Sequence, residues 1–190
     1  MGNFVMSIST YRAVSVGALG GAAAFLAEGP VAQYGAQLFP VLIGWAGYYH
    51  FGEKLEGLKK SLLHYLAGAV LAAAAFIIAA RFPYGAELGA ASRTAIAVAV
   101  TLGVLVVASR LMALSDFPVA VLGYATLVGL AGGSERGDRL LTLSYDNPLV
   151  VAILSLFAGV IFALLSDYLA EALQKYVPLP GQRTRSATSA

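Results

Sequence analysis

The sequence predicts an all-α membrane protein: six transmembrane segments in two inverted three-helix repeats, with segments two and five short or broken. Three observations carry that expectation. Of the 190 residues, 59% are hydrophobic and 12% charged, whereas about a quarter of an average soluble domain is charged, and the mean hydropathy is +0.78. The apolar residues fall into runs separated by short polar connectors, in a chain with room for roughly six crossings of about 20 residues each. A short motif, Phe-Pro-Val followed by Gly-aromatic-Ala, occurs at Phe39 to Ala46 and again at Phe117 to Ala125.

Taken in order, residues 1–10 read as an N-terminal segment, 11–80 as the first repeat, 81–173 as the second and inverted repeat, and 174–190 as a disordered cytoplasmic tail. The first crossing runs from Tyr11 to Ala27, where Gly17, Gly20, Gly21 and Ala22 to Ala24 offer a small-residue surface suited to close helix packing. Its length resembles a signal peptide, but no lysine or arginine precedes Arg12 and the repeat needs this helix, so it reads as retained. After the polar connector Glu28 to Gln37, the segment Leu38 to Phe51 is too short for a comfortable crossing. Pro40 suits a helix start, where its missing N–H costs nothing, or a break. Gly52 to Lys60 reads as a charged loop and Ser61 to Ala80 as the third crossing. Arg81, Pro83, Gly85 and Glu87 mark a turn before the fourth, Arg93 to Ala108. The fifth, Phe117 to Ala131, is again short. The longest connector, Gly132 to Asn147, leads to a sixth crossing opened by Pro148 and running from Leu149 to Leu169. The tail beyond Tyr176 is rich in proline, arginine, serine and threonine.

Charge orients this topology. Arg12, Lys54, Lys59, Lys60, Arg110, Lys175, Arg183 and Arg185 fall on one side, against Arg81, Arg93, Arg136 and Arg139 on the other. By the positive-inside rule both termini face the cytoplasm. The net charge of +2 and the lack of a basic stripe exclude a nucleic-acid partner. With no cysteine, disulfides and thiolate chemistry are excluded.

The repeat rests on three matches in the same order: Arg12 with Arg93, Phe39-Pro40-Val41 and Gly44-Trp45-Ala46 with Phe117-Pro118-Val119 and Gly123-Tyr124-Ala125, and Leu66-Ala67-Gly68-Ala69-Val70 with Phe157-Ala158-Gly159-Val160-Ile161. Three crossings per repeat is an odd number, so the second copy enters the bilayer upside down, as in many channels and secondary transporters. In such plans the short segments in corresponding positions point to the pathway.

These same pieces, with Gly57-Leu58-Lys59 and Tyr48-Tyr49, resemble the bacterial inner-membrane family called domain of unknown function 1097, over Val14 to Tyr168. The resemblance implies a small multi-spanning inner-membrane protein and brings no catalytic residues with it.

Phe39, Gly44, Trp45, Tyr48, Phe117, Gly123, Tyr124 and Thr126 are therefore the candidates for lining a pathway, with His64 and Asp116 as a gate or polar relay. Aromatic faces can hold a small polar or cationic solute. The competing reading places these aromatics in the headgroup belt, Tyr48 and Tyr49 above all because they adjoin the charged loop. His64, beside Lys59 and Lys60, reads as interfacial, and Asp116 and Asp167 as solvated or ion-paired close to an interface. No spacing suits a metal, and no nucleotide loop or nucleophile elbow is present, so no cofactor, metal or enzymatic activity is expected. The expected function is a channel or facilitator for a small neutral or weakly cationic solute such as urea, an amide or ammonia. The expected partners are the lipid bilayer and further copies of the chain in a homo-oligomer. A non-transporting scaffold or accessory subunit is the alternative.

Overall fold

A computed structural model describes residues 2–52, 54–81, 87, 89–132, 136–142 and 144–177, with side chains for these except residues 2–9, 136 and 137. Among them every element is helical: α1 Gly2–Glu28, α2 Leu38–His50, α3 Lys54–Arg81, α4 Gly89–Ala108, α5 Phe117–Ala131, the single turn α6 Arg136–Arg139, and α7 Pro148–Tyr176. Three of these, α3, α4 and α7, are long and apolar enough to cross a membrane, and α5 is a shorter apolar helix.

The long helices extend past their apolar runs. Helix α1 begins at Gly2, α3 takes in most of the expected charged loop, and α7 continues past Leu169 through Tyr176. Charged residues such as Lys54, Glu56 and Lys60 are good helix formers, and Glu56 pairs with Lys60 one turn on at 2.6 Å, so polarity there did not mean loop. Pro83, Gly85 and residues 178–190, the turn and most of the tail, lie outside the described residues.

Helices α2 and α5 have 13 and 15 residues, about 20 Å at 1.5 Å per residue, against a hydrocarbon core of about 30 Å. Both are short and continuous, with the proline inside the first turn. The chain enters each through a 3₁₀ turn, Ala32–Tyr34 and Met112–Leu114. Asp116 caps α5 by accepting from the Val119 N–H at 3.2 Å, and Asn147 caps α7 by accepting from Leu149 at 2.9 Å.

The two short helices pack on the two long ones. Helix α2 lies along α7 and in the same direction, with Gly44 against the Leu156 carbonyl, Gly159 against the Val41 carbonyl, and Tyr48 reaching Asp167 farther along. Helix α5 lies along α3 in the same way, with Gly123 against the Tyr65 carbonyl and Gly68 against the Ala120 carbonyl. Helices α2 and α5 oppose one another, since His50 meets Asp116 while Phe39 meets Gly129. Helices α3 and α7 oppose one another too, the start of one meeting the end of the other through Lys54 and Glu171. At each of these glycines the partner backbone comes so near that a Cβ would overlap it, which is how small residues bring membrane helices together.

Around these crossings sit two cores. Ala69, Ala72 and Ala73 of α3, Leu105 of α4 and Tyr124, Leu127 and Leu130 of α5 form one; Trp45, Tyr48, Tyr65, Leu156 and Val160 form the other. Helices α1 and α4 flank the bundle, and α4 turns Ile96, Val100, Val104 and Val107 outward. Gly17, Gly20 and Gly21 of α1, expected to serve close packing, have nothing within 4 Å of where a Cβ would stand.

Candidate functional site

Ser61, His64, Ser166 and Asp167, four of the polar side chains that the bundle buries, collect at one end, where the end of α2 and the turn of α1 that carries Arg12 meet the start of α3 and α5 and the last third of α7. Consecutive residues on a helix point about 100° apart. The end of α2 therefore directs Tyr48 and Tyr49 toward α7 and His50 toward α5.

Asp167 is the centre of the first cluster. It is 4% exposed. Its Oδ2 accepts from the Tyr48 hydroxyl at 2.8 Å, and its Oδ1 accepts from Tyr49 at 3.2 Å and from Arg12 at 3.4 Å. The Arg12 guanidinium also lies over the Tyr49 ring, 5.4 Å from its centroid. Ser166 meets the Tyr49 hydroxyl at 2.7 Å and donates to the Ala163 carbonyl at 2.7 Å. On its other side, the Tyr48 hydroxyl accepts from the Lys54 N–H at 2.6 Å. Lys54 has φ 65, a left-handed backbone that a side chain seldom adopts. That conformation, with Gly52 at φ 97 just before it, turns the chain from α2 into α3 while aiming the amide at Tyr48.

The second cluster joins α2, α3 and α5. The His50 imidazole donates from Nε2 to Asp116 Oδ2 at 2.5 Å, and the Asp116 N–H donates to His64 Nε2 at 3.1 Å. His64 Nδ1 then donates to the Lys60 carbonyl at 2.7 Å, which assigns the neutral ring with its proton on Nδ1. The Phe51 ring packs on it at 4.7 Å. Among the described residues, these carboxylate and imidazole groups do not form a set able to hold a metal ion. Partial burial pushes the Asp116 carboxyl up, but the hydrogen bonds from His50 and the Val119 N–H and the adjacent His50 outweigh it and hold it below the usual carboxylate range.

That shift has a sign that can be checked. A carboxyl with a lowered folded pKa contributes its full stability above the ordinary value of about 3.9 and loses it as pH falls through the folded value. The stability difference between wild type and Asp116→Asn, which keeps the helix cap, is therefore expected to be constant above about pH 4 and to shrink below it. Thermal unfolding followed by circular dichroism across that range checks it; a difference growing on acidification would contradict the geometry.

The sequence-derived candidates divide between these clusters and the helix crossings. Tyr48 is fully buried on Asp167, and His64 is 2% exposed. Asp167 is ion-paired and not solvated. Gly44 and Gly123 face neighbouring backbone. Trp45 is buried and stacks on Phe162 with ring centroids 6.4 Å apart. The Tyr124 hydroxyl meets Thr101 of α4 at 2.9 Å, and Thr126 donates to the Leu122 carbonyl of its own helix at 2.8 Å. Phe117 packs on the α3/α5 core, and Phe39 lies at the rim against α5. Arg12, Tyr49, His50 and Ser166 carry the polar end and were not among the candidates. The available signal was opposite charge within two apolar helices at matching depth, Arg12 in the first and Asp167 in the last.

Toward the other end, an apolar groove of about 440 Å³ opens between α1, α2 and α7, lined by Leu26, Ala27, Val31, Val41, Val151 and Leu154 among others. A smaller hollow beside it holds Gln37, Arg139 and Asp146.

A family described as Protein of unknown function (DUF1097) matches residues 13–171, most of the chain, and the protein belongs to it. Comparison with curated proteins and with solved structures finds no match.

Proposed function

We propose that this member of the family is a small transport protein, a channel or facilitator that passes a small neutral or weakly cationic solute between two inverted three-helix repeats. The reading has six crossings in a bacterial inner membrane, both termini on the cytoplasmic side, assembly as a homo-oligomer, and no catalytic step.

The observation that carries it is a correspondence of contacts. Gly44 and Gly123 are 79 residues apart, as are Val41 and Ala120; Gly68 and Gly159 are 91 apart, as are Tyr65 and Leu156. Under those offsets the contact of Gly44 with the Leu156 carbonyl becomes that of Gly123 with the Tyr65 carbonyl, and Gly159 on Val41 becomes Gly68 on Ala120. Matched helices run in opposite directions, which is the relation an inverted repeat requires. The polar end breaks the correspondence. The places of Tyr48, Tyr49 and Asp167 are taken in the matched half by Leu127, Val128 and Phe76. Packing is thus satisfied there by apolar side chains, and a buried carboxylate among membrane helices marks function by default.

A scaffold or accessory subunit is favoured by a different observation: Gly44 and Gly123 meet helix backbone rather than a lumen. Solute flux decides between them. Proteoliposomes bearing the protein are expected to take up one or more of urea, acetamide, methylammonium and guanidinium faster than empty vesicles, and more slowly with Trp45→Ala or Tyr124→Ala. No uptake above empty vesicles for any small solute favours the scaffold.

A further inference from the structure

The Arg12 contact with Asp167 has the composition of a ligand site with its ligand attached by a tether. Around the guanidinium stand a carboxylate oxygen 3.4 Å from Nη2 and an aromatic face 5.4 Å from Cζ. These are the two groups that recognise a planar organic cation, by charge-assisted hydrogen bonding and by cation–π attraction. We propose that Asp167, its carboxylate held by the hydroxyl of Tyr48, and the ring of Tyr49 form a binding site for a small planar monocation of the guanidinium or amidinium class, and that Arg12 fills it as an internal surrogate which the solute displaces. This deepens the transport reading, and rests on it only for the further step that the bound cation is carried.

Four features support the assignment. The receiving groups are fixed before any ligand arrives. Tyr48 is held from behind by the Lys54 N–H, Tyr49 by Ser166, and Ser166 by the Ala163 carbonyl. The left-handed Lys54 backbone costs energy, and such strain collects where a geometry is imposed for use. The surrogate fits imperfectly. At 3.4 Å the Arg12–Asp167 contact is longer than the 2.7–2.9 Å usual for charge-assisted bonds, so an untethered cation can come closer. The surrogate can also leave: its side chain is 40% exposed, against 5% for that of Asp167, and a long arginine side chain reaches readily to the headgroup region. Finally, the matched half of the fold has Leu127, Val128 and Phe76 at the corresponding places, so these polar groups are not what the helix packing needs.

Binding of radiolabelled guanidinium and thermal unfolding in detergent micelles, at millimolar guanidinium, test the site. Urea serves as the neutral isostere and sodium as the ionic-strength control. If Arg12 occupies the site nine-tenths of the time, its removal raises apparent affinity about tenfold, since apparent affinity scales with the vacant fraction. Arg12→Ala and Arg12→Gln are therefore expected to bind guanidinium about tenfold tighter than wild type and to gain thermal stability from it, with no gain from urea or sodium. Adding Asp167→Asn to Arg12→Gln is expected to abolish that binding. If Arg12→Ala folds only with guanidinium present, that recovery supports the site, and Arg12→Gln supplies the folded background for the affinities. Equal affinity with and without Arg12, equal protection by urea, or binding that survives Asp167→Asn would each overturn it. The two readings fail separately: guanidinium binding without flux retains the site and sinks transport, while flux of another solute with no guanidinium binding sinks the site alone.

Discussion

Gly68→Val is expected to destabilise the fold by about 3 kcal/mol, the upper end of ordinary overpacking costs, enough to remove much of a typical stability of about 5–15 kcal/mol. A Cβ at Gly68 would overlap the Ala120 carbonyl oxygen and stand 2.7 Å from the Tyr124 nitrogen. Both are backbone atoms of α5, so no side-chain rotation relieves the clash. The two helices must separate, and the α3/α5 core around Ala69, Ala72 and Leu127 opens with them. Gly159→Val is expected to act alike on the α2–α7 crossing, where the new Cβ would overlap the Val41 carbonyl oxygen. Gly20→Ala is the control. Nothing stands within 4 Å of its added methyl, and alanine is better by up to about 1 kcal/mol in a helix interior. Thermal unfolding in micelles, followed by circular dichroism, ranks the three. A Gly68→Val protein within about 0.5 kcal/mol of wild type, the usual scatter of surface substitutions, would mean that α3 and α5 do not cross there.

Asp167→Leu is expected to cost about 1.5–3 kcal/mol, the range for losing a hydrogen bond to a charged group. It leaves the Tyr48 hydroxyl with no acceptor in a fully buried place and takes from Tyr49 and Arg12 the carboxylate oxygen they share. The Arg12 share of that loss stays near the value of a surface pair, about 0–1 kcal/mol, because its side chain is 40% exposed. Asp167→Asn keeps an acceptor for Tyr48 and is expected to cost less. A double-mutant cycle with Tyr48→Phe isolates the bond: coupling of at least about 0.5 kcal/mol is expected for groups in direct contact, and strict additivity would show that Tyr48 and Asp167 do not interact.

Much of the architecture is legible in the sequence. Apolar runs separated by turn residues placed the helices, because a chain in lipid must satisfy its backbone within each helix. The start of α5 was legible too, since Pro118 suits a first turn by its fixed φ. Helix ends were less so. Lys54 to Lys60 and Ala170 to Tyr176 are polar yet helical, because helix propensity and tertiary contacts such as Lys54 with Glu171 outlast the hydrophobic run.

What the sequence by itself determined is an all-helical chain rich in membrane-grade apolar segments and its two short proline-started helices. Both depend on local composition, and composition survives without knowledge of neighbours. Only the tertiary structure decided what the polar residues do. Asp167 and His64 are a turn or two from polar connectors, where linear position reads as solvent, yet the packing of α1, α2, α3, α5 and α7 closes over them. The partners are 155 residues apart for Arg12 and Asp167 and 66 for His50 and Asp116. Depth in a bundle is a property of the neighbours a side chain meets, and helix packing alone sets those.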